Sequence, residues 1–448
     1  MKSFSLIDGE LHAEHVPLSR IAAEVGTPVY VYSRAALTRN AAAFRQALKP
    51  LGDPLTAFAV KANPNLAVLR VLAAEGFGAD VVSGGELRRA LAAGMAAEKI
   101  VFSGVGKTAA ELTLALDEGI GQINVESGEE AEELSAIAAA RGVRAVCALR
   151  VNPDVDAGTH DKISTGKADS KFGVLLSHVA VVYERMAALP GLAPRGVALH
   201  IGSQLADLAP LERAFARLGE LISELRGQGH TITYADLGGG LGIPYREGEQ
   251  FPALSDYAAM VARVTRDWNV RLIFEPGRII VGDAGVLLTR VVRVKRGAAH
   301  PFVVVDAAMN DLARPAMYGA YHGFEAVRPL GGRMTANIVG PICETGDTFA
   351  TGRDTDRMES GDLAVFRTAG AYGATMASSY NSRGFVPEVL VDGDRFAVVA
   401  DRIAPDAIMA AERVPDWLVE PGTDGSPFAS RSATAQAASA SAAVSSAK

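Results

Sequence analysis

The segment Arg271–Arg278, RLIFEPGR, has the pattern of a buried strand that ends in reactive side chains. Leu-Ile-Phe precedes Glu275, and a Pro-Gly turn separates that carboxylate from Arg278. An α/β barrel presents its chemistry at the carboxyl ends of its strands, so this arrangement is typical of such a fold. A strand followed by a surface ion pair is the alternative, and the segments upstream decide between the two.

The chain between Thr56 and Arg278 alternates short apolar runs with amphipathic stretches. Apolar residues recur every three or four positions in the amphipathic stretches, which indicates helices. Eight strands are predicted, at Phe58–Ala62, Ala79–Ser83, Ile100–Gly104, Gln122–Glu126, Ala145–Asn152, Gly196–Gly202, Tyr234–Gly239 and Leu272–Glu275. Helices are predicted at Glu86–Gly94, Ala110–Gly119, Glu129–Arg141, Leu211–Arg226 and Ser255–Trp268. Eight strands with helical crossovers favour a (β/α)8 barrel over an open doubly wound sheet.

Three of the predicted helices begin with the spacing of a capping box, in which a Ser or Thr is followed by a Glu three residues later. These pairs are Ser83 with Glu86, Thr108 with Glu111, and Ser127 with Glu130. Each pair lies between a predicted strand and a predicted helix, so strand, cap and helix follow one another directly.

A triple glycine, Gly238 to Gly240, follows the seventh predicted strand. Backbone N–H groups at such a site can approach a phosphate, and barrel phosphate sites favour the ends of strands seven and eight. A dinucleotide fingerprint would instead follow the first strand, which argues against a Rossmann-like sheet. A tight turn that needs positive φ explains the same glycines, so both interpretations stay open.

Beyond Gly282 the sequence predicts a β-rich barrel or sandwich domain, because short strand-like runs alternate with Gly, Pro and Asp turns. Phe4–Ile7 and Val29–Tyr32 are further strand candidates that could pair into this domain. The predicted organisation is an N-terminal segment 1–33 that contributes to the β domain, a barrel 34–280, a β-rich domain 281–418 and a disordered Ala/Ser-rich tail 419–448.

Composition narrows the class of protein. The net charge of −7 and the absence of a long basic run argue against nucleic acid as a partner. No uncharged stretch reaches the ~18 to 20 residues of a membrane span, and two distant cysteines, Cys147 and Cys343, predict a reducing compartment. The chain has neither an HExxH motif nor clustered Cys and His, so no metal site is predicted. We therefore expect a cytoplasmic protein.

Two further residues end barrel strands. Lys61 in FAVKAN either reaches the surface or has a pKa lowered by desolvation, and a neutral lysine can form an imine with an aldehyde cofactor. His200 in ALHIGSQ is a catalytic candidate, although a hydrogen-bonded core histidine is the commoner case. Both residues are expected on the same rim of the barrel as Gly238 to Gly240, Glu275 and Arg278.

These motifs together resemble one enzyme family. FAVKAN, SKFGV, HIGSQ, DLGGGLGIP, EPGR, RPAMYGAYH, GPICETGD and GAYGATMASSYNSR occur in the order found in the diaminopimelate decarboxylase family, among the fold-type III pyridoxal-phosphate enzymes related to alanine racemase. The resemblance covers residues 5 to 415, approximately. Any single motif is weak, but eight in family order through two domains make chance improbable.

The resemblance implies a set of cofactor contacts. Lys61 would hold pyridoxal phosphate as a Schiff base, His200 would stack on the pyridine ring, and Glu275 would pair with the ring nitrogen. The phosphate would be bound by Ser203, Gly238, Gly239, Gly240, Gly277, Arg278 and Tyr372.

The resemblance also implies a substrate site. Arg278, Arg314 and Tyr318 would bind a distal carboxylate, Glu344 would meet the distal ammonium, and Tyr372 would line the same site. The implied reaction converts meso-diaminopimelate to L-lysine and carbon dioxide, the last step of lysine biosynthesis. Cys343 of the partner subunit would protonate the carbanion, so active sites would be shared within a homodimer.

Other interpretations remain open at this point. A related pyridoxal-phosphate decarboxylase for ornithine, arginine or carboxynorspermidine would share nearly all cofactor residues. A non-catalytic regulator that binds the cofactor would be expected to lack Lys61 or Cys343, and both are present. Outside its motif, Cys343 would be interpreted as a small buried hydrophobic residue, as Cys147 is.

Overall fold

The computed structural model describes residues 3–156, 158, 165–166 and 170–418. Its strands are β1 (Phe4–Ile7), β2 (Glu10–Ala13), β3 (Val16–Pro17), β4 (Val29–Ser33), β5 (Leu55–Ala59), β6 (Gly78–Val81), β7 (Ile100–Phe102), β8 (Gln122–Val125), β9 (Ala145–Asn152), β10 (Val174–Leu175), β11 (Leu192–Ala198), β12 (Tyr234–Asp236), β13 (Arg271–Phe274), β14 (Gly285–Lys295), β15 (Phe302–Val305), β16 (Phe324–Ala326), β17 (Arg333–Val339), β18 (Thr348–Asp356), β19 (Leu363–Phe366), β20 (Glu388–Asp392) and β21 (Arg395–Ala400). Its α-helices are α1 (Leu18–Val25), α2 (Arg34–Leu48), α3 (Leu66–Ala74), α4 (Gly84–Ala92), α5 (Ala109–Asp117), α6 (Gly128–Ala140), α7 (Leu176–Ala188), α8 (Ala209–Gly227), α9 (Leu254–Val264), α10 (Arg278–Val281), α11 (Arg314–Tyr318) and α12 (Pro405–Met409).

Eight parallel strands, β5 to β9 and β11 to β13, form a closed ring. Pairing of β13 with β5 and of β8 with β9 completes the ring, and the two-residue strand β10 extends β9 outside it. The structure thus confirms the predicted (β/α)8 barrel. Most strands end a few residues before their predicted ends, because the residues at the carboxyl rim turn out of the ladder to face the site.

All five predicted helices are present, as α4, α5, α6, α8 and α9. Ser83, Thr108 and Ser127 each accept the backbone N–H three residues later, so all three predicted N-caps are confirmed. Only Thr108 and Glu111 form the complete reciprocal box. The helices α2, α3 and α7 were not among those predicted from periodicity.

Strand β14 organises the β-rich domain. It pairs antiparallel with β4, β15 and β19, and β4 pairs in parallel with β20, so the predicted strand Val29–Tyr32 is part of this domain. The predicted strand Phe4–Ile7 pairs instead with β2, since a turn with positive φ at Asp8 and Gly9 folds it back. The resulting small sheet, β1 to β3, joins the domain by packing on the same apolar core.

The chain forms two compact units. The barrel and the β-rich domain belong to the first, which comprises residues 1–377 and 386–401. In the second, which includes the described residues 378–385 and 402–418, Phe385 and Ile403 exchange two backbone hydrogen bonds of 3.0 Å. The predicted tail 419–448 lies outside the described residues. None of the described helices combines the length and the apolar character of a membrane span.

Candidate active site

Lys61 lies at the carboxyl end of β5, in the short 3-10 turn Val60–Ala62. Its Nζ donates to Asp80 Oδ2 at 2.6 Å, and Asp80, near the end of β6, is fully buried. Burial lowers the pKa of Lys61, but the charge of Asp80 and further interactions, among them the hydrogen bond to Asp80, outweigh burial, so the net pKa is raised. Lys61 is thus an ion-paired cation, so the lowered pKa considered from the sequence is wrong, because the buried partner Asp80 was not anticipated.

Glu275 follows β13 and shares a side-chain hydrogen bond with Asp236, the last residue of β12. Both carboxyl groups are buried. Burial, followed by the charges of Asp236 and Asp80, raises the pKa of Glu275 well above its ordinary range, and burial raises the pKa of Asp236 to about 6. Two adjacent buried carboxyl groups cannot both ionise readily, so this pair retains a proton.

The triple glycine permits close approach of three barrel loops. Gly238 and Gly240 have φ of +63° and +114°, so the interpretation as a turn with positive φ is correct. A Cβ at Gly239 would lie 2.1 Å from the carbonyl oxygen of Glu275, and one at Gly240 would lie 2.4 Å from that of Gly202. Side chains are therefore excluded at this rim, which leaves room for a bound group.

His200 accepts a hydrogen bond at Nδ1 from the N–H of Gly239, at 3.3 Å. Burial, then the charges of Lys61 and Arg150, lower the pKa of His200 well below its ordinary value. The imidazole is consequently neutral, with an acceptor nitrogen fixed by the glycine loop and its ring facing the cavity that Lys61 lines.

Two arginines lie side by side at the site, and both are buried. Arg278, at the start of α10, donates to Tyr245 Oη at 2.6 Å and to Ser203 Oγ at 3.1 Å. Arg314, at the start of α11, donates to His322 Nε2 at 2.9 Å. The carboxylate of Glu275 makes no ion pair with Arg278 in the described part of the chain, so the surface ion pair considered for RLIFEPGR is wrong.

Two adjoining cavities share Lys61, His200, Ser203, Arg278 and Tyr372. The first is narrow and is completed by the glycine loop and the Glu275 segment; it is lined further by Phe44, Ala59, Gly238, Gly239, Gly240, Leu241, Tyr257, Glu275, Pro276, Gly277 and Ile279. The second has a volume of about 500 Å³ and is lined further by Gln204, Tyr245, Arg246, Glu249, Phe251, Arg314, Tyr318, Ala320, Tyr321 and Met376.

Cys343 and Glu344 do not line either cavity within one chain. Both lie between β17 and β18 and are exposed, so the interpretation of Cys343 as a buried hydrophobic residue is wrong. Cys147 is buried in β9 as predicted, and burial raises the pKa of its thiol to about 12. Among the described residues no group of His, Cys, Asp and Glu could hold a metal ion.

Four residues of the site were missed in the sequence: Asp80, Asp236, Tyr245 and His322. Asp80 and Asp236 are both buried and carry carboxylates on otherwise apolar strands. Because charged residues are rarely buried, their positions in the sequence could have indicated a functional role. Tyr245 follows the glycine loop and His322 ends the motif RPAMYGAYH. The sequence alone does not reveal which side chains these two residues contact.

Comparison with known proteins identifies the family. A family model described as "Pyridoxal-dependent decarboxylase, pyridoxal binding domain" matches residues 34–282. Diaminopimelate decarboxylase from Zymomonas mobilis is 51% identical, over 93% of this chain and 100% of that protein. The enzyme of the same name from Pseudomonas aeruginosa is 50% identical, over 92% of this chain and 99% of its own.

Solved structures agree with these relatives. Diaminopimelate decarboxylase from M. jannaschii, in co-complex with L-lysine, has a TM-score of 0.90 at 35% identity, covering 93% of this chain and 99% of that one. The Helicobacter pylori enzyme complexed with L-lysine has a TM-score of 0.84 at 37% identity, covering 87% of this chain and 97% of that one.

A closed eight-stranded barrel with an ion-paired lysine at its rim, joined to a β-rich domain, defines the class: this chain belongs to the pyridoxal-dependent decarboxylases. Within that class it belongs to the diaminopimelate decarboxylase family. The site fits pyridoxal phosphate, the cofactor of the class. An amine lies beside the first cavity, glycine backbone allows close approach of a phosphate, and a buried carboxyl group that carries a proton lines the same space.

Proposed function

We propose that this protein decarboxylates meso-2,6-diaminopimelate to L-lysine and carbon dioxide with pyridoxal phosphate, as the last step of lysine biosynthesis. The observation that carries this proposal is the pair of buried guanidinium groups, Arg278 and Arg314, that line the same cavity as Lys61. Neither arginine forms an ion pair with a carboxylate in the described ranges, and Nε of each has no hydrogen-bond partner there.

Such a site favours a substrate with a second carboxylate. A buried cation without a counter-ion is unfavourable, and a carboxylate from the substrate would supply both the charge and the acceptors. Ornithine and arginine have no carboxylate at their distal end, so the same two arginines would oppose their binding. Tyr318 lines the cavity beside Arg314 and is assigned, with Tyr372, to the same end of the substrate.

The residues of the narrow cavity are assigned to the cofactor. Pyridoxal phosphate supplies the electron sink that stabilises negative charge at the carbon losing carbon dioxide. Lys61 provides the amine that holds the cofactor, and the retained proton of Glu275 can be shared with the pyridine nitrogen. His200 presents its neutral ring to the cofactor. The phosphate is assigned to Ser203, Gly238, Gly239, Gly240, Gly277, Arg278 and Tyr372.

The remaining assignments need a second copy of the chain. Cys343 and Glu344 are exposed and line neither cavity of their own subunit, which suits residues that act across a homodimer interface. We assign Cys343 of the partner subunit to proton delivery at the reacting carbon, and Glu344 of the partner subunit to the distal ammonium. The cytoplasmic location expected from the sequence stays a prediction.

The experiment is a comparison of substrates with the purified protein and pyridoxal phosphate. Release of carbon dioxide and of the product amine is measured for meso-diaminopimelate, ornithine, arginine and carboxynorspermidine. Lysine formed from diaminopimelate alone supports the proposal. Turnover of ornithine or arginine without turnover of diaminopimelate would contradict it.

A variant tests the role of the arginines in the same assay. Arg314→Gln removes one guanidinium charge and should reduce kcat/KM for diaminopimelate at least about a hundredfold, as expected for a charged hydrogen bond lost from a buried site. Arg296→Gln, at an exposed position, is the matched control. Equal effects of the two substitutions would remove Arg314 from the substrate site.

A further inference from the structure

The two arginines of the larger cavity are held by neutral groups rather than by carboxylates. Arg278 donates to the hydroxyl groups of Tyr245, at 2.6 Å, and Ser203, at 3.1 Å. Arg314 donates to the imidazole of His322, at 2.9 Å. A neutral acceptor fixes the direction of a guanidinium group without cancelling its charge, whereas a carboxylate would do both.

The tautomer of His322 follows from its partners. A guanidinium group can only donate, so Nε2 of His322 accepts, and its proton must be on Nδ1. Nδ1 then donates to the carbonyl oxygen of Arg367 at 2.9 Å. His322 is buried, and burial, followed by the charge of Arg314, lowers its pKa to about 3, so the ring is neutral at physiological pH.

Tyr245 connects the two arginines. The guanidinium carbon of Arg314 lies 4.6 Å from the centroid of the Tyr245 ring, and that of Arg278 lies 5.8 Å from it. The ring also makes an edge contact with His322, at a centroid distance of 5.4 Å. One aromatic ring therefore contacts both cations, an attraction that leaves their charge available.

The acidic side chain along this cavity, that of Glu249, is committed to other groups. Glu249 lines the cavity, but its Oε2 accepts the backbone N–H groups of Tyr245, at 2.9 Å, and Arg246, at 3.1 Å. Glu249 thus orders the loop that presents Tyr245. Arg278 and Arg314 are left as cations that face the cavity, each with an Nε that lacks an acceptor among the described residues.

We propose that Tyr245 and His322 are positioning residues, which hold Arg278 and Arg314 in place without a carboxylate partner from the described part of the chain and so make the cavity selective for a substrate with a distal carboxylate. This inference rests on the function proposed above and deepens it. Neither residue touches the reacting carbon in this scheme, so their loss should affect substrate binding more than the chemical step.

The test uses Tyr245→Phe, His322→Leu and His322→Gln in the holoenzyme. Tyr245→Phe keeps the ring and removes the acceptor, His322→Leu removes the acceptor, and His322→Gln restores one through its amide oxygen. Tyr183→Phe and His230→Gln are the matched controls, because the Tyr183 hydroxyl has no partner in the described part of the chain and His230 packs on its ring. Thermal unfolding confirms that each variant is folded.

The expected result is a split between KM and kcat. KM for diaminopimelate should rise about tenfold or more in Tyr245→Phe and His322→Leu while kcat changes less than about twofold, and His322→Gln should recover most of the loss. Affinity for pimelate, a dicarboxylate of the same chain length that has no amine to react, should fall in parallel, as measured by calorimetry.

Unchanged KM and unchanged pimelate affinity in Tyr245→Phe and His322→Leu would overturn the inference, as would an equal effect in the controls. A loss confined to kcat would also overturn it, since that result points to the chemical step. The pimelate measurement separates this inference from the proposed function. A parent protein that binds pimelate but forms no lysine would contradict the proposed reaction. The effect of each variant on pimelate affinity would still test the positioning roles of Tyr245 and His322.

Discussion

Lys61 illustrates how a single residue's chemistry depends on its neighbours. Its side chain retains 37% exposure and lines the first cavity, and its ammonium lies 2.6 Å from the buried carboxylate of Asp80. Desolvation favours a neutral amine, whereas Asp80 and Glu275 favour the cation, and the carboxylates prevail. The lysine is therefore held in place, as a cation, before it meets an aldehyde.

Asp80→Asn should lower the pKa of Lys61, because burial then acts against fewer negative charges. Imine formation needs the neutral amine, so its rate with added pyridoxal phosphate should rise with pH and then level off. In the variant the rate should level off at a pH about one unit or more lower than in the parent. Stopped-flow absorbance across pH measures this shift. Asp117→Asn, an exposed substitution, is the control, and identical pH profiles for Asp80→Asn and parent would contradict the ion-pair account.

The proton shared by Glu275 and Asp236 predicts a pH-dependent stability. A carboxyl group whose pKa is raised on folding stabilises the folded state below its unfolded pKa, and this contribution is lost as pH rises through the folded pKa. In protein stripped of cofactor, the free energy of unfolding should fall as pH rises from about 4 through 6 and beyond, the interval over which Asp236 and then Glu275 lose protons.

Glu275→Gln should flatten that profile, since glutamine donates to Asp236 without a titrating proton. We expect a gain of about 1 to 2 kcal/mol over the parent at pH 8, measured by denaturant unfolding without cofactor. Glu98→Gln, at an exposed position, serves as control. If parent and Glu275→Gln show parallel profiles, the pair does not share a proton.

At the scale of elements, the caps of the barrel helices also link neighbouring βα units. Glu111 accepts the N–H of its own cap residue, Thr108, at 3.0 Å and that of Gly84, at the start of α4, at 2.8 Å. A single carboxylate thus satisfies N-terminal donors of two consecutive helices, which fixes the loops that follow β6 and β7.

Glu111→Ala should destabilise the protein by about 1 to 2 kcal/mol at pH 7, because both helix ends lose an acceptor. Hydrogen bonds, with that of Gly84 foremost, lower the pKa of Glu111 in the folded state. Its contribution is therefore present above the unfolded pKa and is lost as pH falls through the folded pKa, so the difference from parent should shrink below about pH 4. Denaturant titration at two pH values measures the difference in the free energy of unfolding between parent and variant, with the exposed substitution Glu133→Ala as control. A difference that stayed constant between the two pH values would exclude the carboxylate as the cause.

At the scale of the whole molecule, the proposed function divides the active site between two subunits. Lys61 and the arginines come from one chain, while Cys343 and Glu344 are exposed and lie outside the cavities of that chain. Cys343→Ala should retain bound cofactor and lose most turnover, because only proton delivery is removed. Lys61→Ala should lose covalently held cofactor.

Mixing the two inactive variants provides the sharpest test of this division. In a random mixture of Lys61→Ala and Cys343→Ala subunits, half of the dimers are mixed and each mixed dimer has one intact site, so about a quarter of the parent activity should return. Turnover is measured after subunit exchange, with each variant alone as control. No recovery, in mixtures where exchange is demonstrated by mass, would place Cys343 outside a shared site.

Much of this organisation was predictable from local pattern. The eight barrel strands, five of the helices and three N-caps follow from periods of hydrophobic residues and from cap spacing, which are properties of short segments. Lys61, His200, the glycines, Glu275 and Arg278 end strands of one parallel barrel, so their shared rim followed from the topology. The small sheet of β1 to β3 was not anticipated, because a local turn competed with pairing to a distant strand.

The sequence alone determined the barrel, the β-rich domain and the reactive side chains at one rim, because strand and helix patterns are encoded within a few neighbouring residues. Only the tertiary structure decided the charge state of Lys61, the proton held between Asp236 and Glu275, and the support of two arginines by Tyr245 and His322. Each of these properties depends on a distance between segments far apart in the chain, and electrostatic interaction in a buried site changes steeply with that distance and with the exclusion of water.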